Sequence, residues 1–111
     1  MKIFIYVQTR FEAIHCWPSC PFEEVSFLRN PHRHEFWVKA KIPVTHTDRD
    51  VEFIMAKRKL DALVSELFHG RDLGATSCEM MCQLIIEATI LPITSISVFE
   101  DGENGAEIVL E

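Results

Sequence analysis

The chain has no apolar run of bilayer length, so the sequence predicts no transmembrane helix. Its N-terminus carries no charged-then-apolar-then-small export pattern and opens directly as a strand, which points to a cytoplasmic protein. Positive charge is scarce: 11 Lys and Arg stand against 17 Asp and Glu, for a formal net charge of -6. That balance argues against a nucleic-acid binder, which needs a basic face. The local run Lys57-Arg58-Lys59 reads as a solvated helix face. Internal repeats and low-complexity tracts are missing. There is no strong cysteine signature either. Cys16, Cys20, Cys78 and Cys82 form two C-x-x-x-C pairs, a spacing that is a weak zinc signal. Without an export signal the thiols are expected to be reduced. Cys78 and Cys82, one helical turn apart, read as small apolar core residues.

What is present is enough apolar material for a folded core. Hydrophobic residues make up 48% of 111 residues, which excludes a disordered chain and suits one domain over residues 1–111. Lys2 to His15 alternates with Ile, Phe, Tyr and Val and predicts a long strand. Cys16 to Pro31 holds Pro18, Pro21 and Pro31 without a clean period and predicts a long loop, the kind that often carries function. His32 to Thr45 predicts a second strand, with Pro43 demoting its far end to an edge or bulge.

Thr47-Asp48-Arg49-Asp50 resembles a capping-box start. The helix after it is expected to run to about Phe68, with Phe53, Ala56, Leu60, Leu63, Val64 and Leu67 on its inward stripe. His69-Gly70 ends it. Thr76-Ser77-Cys78-Glu79 starts a second helix, with Met81, Cys82, Ile85 and Ala88 inward, ending before Pro92. Ile93 to Glu100 and Ala106 to Leu110 predict two more strands around an Asp101–Gly105 turn. The order β-β-α-α-β-β predicts an α+β fold: an antiparallel sheet with both helices on one face. The open edges of such a sheet favour oligomerisation.

Three histidines stand out against this frame. Residues two apart on a strand share a face, so His32 and His34 project together, in parity with Phe36, Val38, Ala40 and Ile42. His15 shares the apolar face of the first strand with Ile3, Ile5, Val7, Phe11 and Ala13. If the two strands pair, three imidazoles meet at one end of that face, a donor set suited to catalytic zinc with an open fourth position. The competing reading is three partly exposed histidines with no metal. Glu100 lies at the end of another apolar face, in parity with Ile96 and Val98, where a carboxylate needs a partner. A ligand with N–H donors would suit it; a solvated turn residue is the alternative. Glu79 is explained by capping alone, and Trp17 and Trp37 by packing.

In order along the chain, several motifs resemble the 6-pyruvoyltetrahydropterin synthase and 6-carboxytetrahydropterin synthase family of the tunnelling fold, or T-fold. Phe11-Glu12-Ala13-Ile14-His15 is similar to its F-x-A-x-H, and His32-Arg33-His34-Glu35-Phe36 to its H-G-H strand. Glu52-Phe53, Leu67-Phe68-His69, Thr76-Ser77-Cys78-Glu79 and Val98-Phe99-Glu100 fall in order on later motifs. The resemblance implies a homohexamer, a dimer of trimers forming barrels, with active sites between subunits. It implies zinc held by His15, His32 and His34, and Glu100 anchoring the pterin ring of 7,8-dihydroneopterin triphosphate. Zinc acts in that family as a Lewis acid on the substrate side chain, while a cysteine and an Asp-His pair move protons. The product class would feed biopterin or queuosine-type pathways. This chain departs at the proton-moving groups. Ser26 to Asn30 holds no thiol where the family has its cysteine, and Phe68 replaces the aspartate. His69 remains, as a catalytic group or as a helix-end residue, and Cys20, Glu23 and Glu24 are the candidate bases left in the loop. Arg33, in place of the family glycine, points away from the metal by parity. A non-catalytic protein that kept the fold and a pterin- or guanine-like pocket is the alternative function.

Overall fold

Strand β1 (Ile3–His15) and strand β2 (His32–Val44) pair antiparallel along their full length, from Ile3 opposite Val44 to His15 opposite His32, in a computed structural model that describes residues 1–110. β2 then pairs with β3 (Ser95–Glu100), and β3 with β4 (Asn104–Val109), so the sheet order follows the chain order. The register places Phe36 opposite Glu100 and Glu100 opposite Asn104. β3 is shorter than β2, so His32 to Glu35 project beyond it. Helices α1 (Phe53–Leu67) and α2 (Cys78–Ala88) cover one face, α1 on β1 and α2 on β3 and β4. The architecture is α+β with an antiparallel four-stranded sheet, in the order read from the sequence. No helix is long and apolar enough to cross a membrane.

The covered face is the one the alternation marks. Val7, Phe11 and Ala13 of β1, Phe36, Val38, Ala40 and Ile42 of β2, and Ile96 and Val98 of β3 are buried against Ala56, Leu60, Val64, Met81, Cys82 and Ile85. Burial of apolar surface at ~25 cal/mol per Å² is the main force holding these layers together. The opposite face is wetter. There Arg10 stacks 4.2 Å from the Trp37 ring, and Lys41 lies 4.1 Å from that of Phe4. Arg33 reaches Glu12 at 3.6 Å on this side, away from the histidines.

Several local expectations change. The first helix is capped by Glu52, whose carboxylate accepts from the Ile54 and Met55 amides, and it starts at Phe53. Asp50, expected in a capping box, instead accepts from the Thr45 amide and hydroxyl at 2.7 and 2.9 Å. Phe53, expected on the inward stripe, faces out at 54% exposure as the first residue of the helix. The Cys16–Pro31 loop contains a 3₁₀ helix, Glu23–Arg29, folded over a buried Cys20. Ser77 caps α2 as expected, accepting from the Met80 amide at 3.1 Å.

Candidate metal centre

Every histidine of the cluster is held by its Nδ1, each by a different piece of chain. His15 Nδ1 lies 2.8 Å from the Thr76 carbonyl oxygen. That carbonyl is in place because the α1–α2 connection zips along the end of β1. Ile14 and Leu73 donate to Arg71 and Ile14 carbonyls, and Cys16 donates to Gly74 at 2.9 Å. Gly74 turns this segment at a φ of +60°, a left-handed conformation that costs glycine least. His32 Nδ1 lies 2.8 Å from the Asn30 carbonyl, at the end of the 3₁₀ helix. His34 Nδ1 lies 2.7 Å from Asp101 Oδ2. Asp101 opens the β3–β4 turn at a φ of +55° and is itself clamped: its amide donates to Glu35 O at 2.7 Å, and its Oδ1 accepts from Glu35 N at 3.0 Å. These bonds, His34 first and the Glu35 amide second, hold the Asp101 carboxyl below its ordinary range.

Carbonyl and carboxylate oxygens only accept. All three Nδ1 atoms therefore carry the proton, and in the neutral rings each Nε2 is a bare lone pair. One ligand atom from each ring lies within 4.8 Å of the others. The rings meet edge to face, His15 to His32 at 4.6 Å between centroids and His15 to His34 at 5.4 Å. His15 is 7% exposed, and its Nε2 is buried with no hydrogen-bond partner. Glu100 Oε2 sits 3.0 Å away but off the hydrogen-bonding direction. A buried imidazole lone pair beside a carboxylate is repulsive unless a second ring proton or a metal cation is present to meet both. Three oriented imidazoles, each with its second nitrogen anchored to oxygen, fit a borderline-soft cation such as zinc.

Beside the cluster lies a cavity of about 400 Å³, walled by His15, His32, Glu100, Trp17, Cys78 and Met80 among others. Its lining is mostly apolar, with Glu79 and Glu100 as its carboxylates and no lysine or arginine. Cys78 reaches this wall, but burial pushes its thiol up to about 12. Cys82, deeper, lies 3.7 Å from both the Ile96 and Ala106 carbonyls, and burial raises it to about 11. Both are protonated at neutral pH and poor nucleophiles.

The other candidates lie elsewhere. Cys20 is 2% exposed, its sulfur turned to the Phe22 and Val25 carbonyls, and it does not line the cavity. His69 lies at the end of α1, with Nδ1 3.4 Å from the Glu12 amide, and is also outside the cavity lining. Glu23 pairs with Arg29 at 3.1 Å. Lys57 is engaged by the Gln8 carbonyl and Asp61. Sequence reasoning missed Asp101, Thr76 and Asn30. Asp101 carried one usable signal, an Asx residue directly after a strand that ends beside the histidines. Two of the three anchors are main-chain carbonyls, which no side-chain pattern reveals.

No family model matches the chain, and no curated protein does. Among solved structures, an uncharacterized protein from Wolinella succinogenes is similar across 100% of this chain and 99% of its own, with a TM-score of 0.68 at 11% identity. That likeness speaks to the α+β fold alone.

Proposed function

We propose that the chain is a T-fold zinc protein, a 6-pyruvoyl- or 6-carboxytetrahydropterin synthase-like lyase acting on 7,8-dihydroneopterin triphosphate. The observation that carries this reading is the set of three imidazoles, each with its Nδ1 anchored to oxygen and one ligand atom of each within 4.8 Å of the others, beside a cavity that also presents a carboxylate. His15, His32 and His34 would hold the zinc, which supplies Lewis acidity to the substrate's side-chain hydroxyls when bound. Trp17 and Met80 offer apolar walls for a flat heterocycle, and Glu100 can accept from adjacent ring N–H groups. The proton-moving residues are not assembled within one chain. The reading therefore needs assembly. The outer edges of β4 and of β1 before Glu12 have no strand partner among the described residues, which supports closure by further copies in the hexamer that the resemblance implies. In that assembly His69 would come from a neighbouring copy.

A second reading is favoured by two specific observations: Cys20 turns away from the cavity, and no cation lines it to meet a triphosphate. In that reading the protein binds a pterin- or guanine-like ligand without turning it over. The test is metal analysis of the purified protein followed by incubation with dihydroneopterin triphosphate. Stoichiometric zinc with release of triphosphate is the expected result. Zinc without turnover, together with saturable binding of neopterin or guanosine, would replace the lyase with the binding protein.

A further inference from the structure

Glu100 has two claims on it. It can face a ring in the cavity, and it already sits against the histidines. Its Oε2 is 3.0 Å from His15 Nε2, and its Oε1 is 3.7 Å from His34 Nε2. Two ligands bound at about 2.0–2.1 Å to one tetrahedral zinc lie roughly 3.3–3.4 Å apart. The two separations belong to different carboxylate oxygens and fall on either side of that edge length, so the carboxylate straddles His15 and His34 and would turn toward His32 to complete the set. The 3.0 Å approach is not a hydrogen bond, since the His15 proton is on Nδ1 and the carboxylate lies off the Nε2 hydrogen-bonding direction. The backbone fixes the arrangement: Glu100 is the last residue of β3 and opposes Phe36, two residues along the same face from His34. The neighbouring Asp101 is committed to His34 Nδ1 and the Glu35 amide, so Glu100 is the free carboxylate of the pair.

We infer that Glu100 is the fourth protein ligand of the metal when the cavity is empty. This rests on the three-histidine metal reading above and adds to it. A three-histidine site with water in its fourth position would be open to any small anion. A site closed by Glu100 is not, until a ligand with adjacent N–H donors draws the carboxylate away. One side chain then couples heterocycle binding to the opening of a coordination position.

The test is cobalt substitution of the full chain, read by the visible d–d spectrum, with azide titrated in. Wild type should give a four-coordinate spectrum that azide does not change. Glu100→Gln should bind cobalt at least about 100-fold more weakly, at or beyond the limit of the ~10–100-fold cost of losing a merely supporting residue. It should also acquire an azide-dependent spectrum. Pterin, which has the adjacent ring N–H donors but no side-chain hydroxyls, should make the wild-type metal azide-responsive. A wild-type spectrum that shifts with azide as readily as the variant's would overturn the inference and leave the three-histidine site standing. That arm needs no variant to fold. Failure of the wild type to take up cobalt at all would remove the metal site and the inference with it.

Discussion

The chain carries two sets of soft metal-ligating side chains, and the structure treats them in opposite ways. Cys78 and Cys82 sit one helical turn apart on the buried face of α2, and their thiols are pushed up to about 12 and about 11 by burial. His15, His32 and His34 stand at the rim of the same core, each with one nitrogen tied to oxygen and the other bare. The difference lies in what satisfies each group. A thiol surrounded by apolar atoms keeps its proton. An imidazole given an acceptor on one side has its lone pair fixed on the other. Proximity of donors alone therefore does not aim a lone pair; the partners of the atoms that face away from it do.

The contrast breaks most easily at the histidines. His32→Ala should lower zinc affinity on the order of a thousandfold, measured by competition with a chromogenic chelator. Unchanged affinity would place the metal elsewhere. The next largest effect should come from Asp101→Asn, which removes the charge behind His34 and should weaken zinc about 10–100-fold with the fold intact by circular dichroism.

Cys82→Ala sharpens the comparison from the other side. It should cost about 1–2 kcal/mol of stability in denaturant titration, as a core truncation does, with zinc content unchanged. In the native protein, alkylation should spare Cys78 and Cys82 and reach Cys16 first, as peptide mapping would show.

The smallest effect concerns a carboxylate used as Asp101 is, but far from the three histidines. Hydrogen bonds from Thr45 hold Asp50 below its ordinary value of 3.8. A depressed folded-state value means the contribution is present above the unfolded value and is lost as pH falls through the folded one. Asp50→Asn should thus be slightly less stable than wild type at neutral pH. The two melting temperatures should converge in strong acid, and a constant gap across pH would contradict the role.

Much of the fold was legible because strand alternation is a strong signal when one face is buried. Both ends of the β1–β2 pair lie within a residue of the expectation, and the parity that put His15, His32 and His34 on one face needs only that pairing. Ser77 was legible because a capping serine before an apolar helix has one dominant use. The start of α1 was not. Three polar residues before it offered equally good caps, and Asp50 was drawn off by Thr45, a contact that periodicity does not encode. β3 begins at Ser95 rather than Ile93, because Thr94 donates to Lys41 O outside the strand ladder. At the site, the three histidines were visible and their anchors were not. The anchors come from three separated segments that meet only after the sheet, the 3₁₀ helix and the α1–α2 connection have closed around them.

The register that puts His15 opposite His32 has a consequence for how the molecule is assembled. The two residues flank the loop of residues 16–31, so an ion held by both is a clasp across the mouth of that loop. A cross-link closing roughly 15 residues removes about 3 kcal/mol of chain entropy from the unfolded ensemble. The metal would then act as a fastener as well as a reagent. Its departure would loosen the 3₁₀ segment and the Trp17 wall before it disturbed the helices, so the cavity and its ion would be gained and lost together.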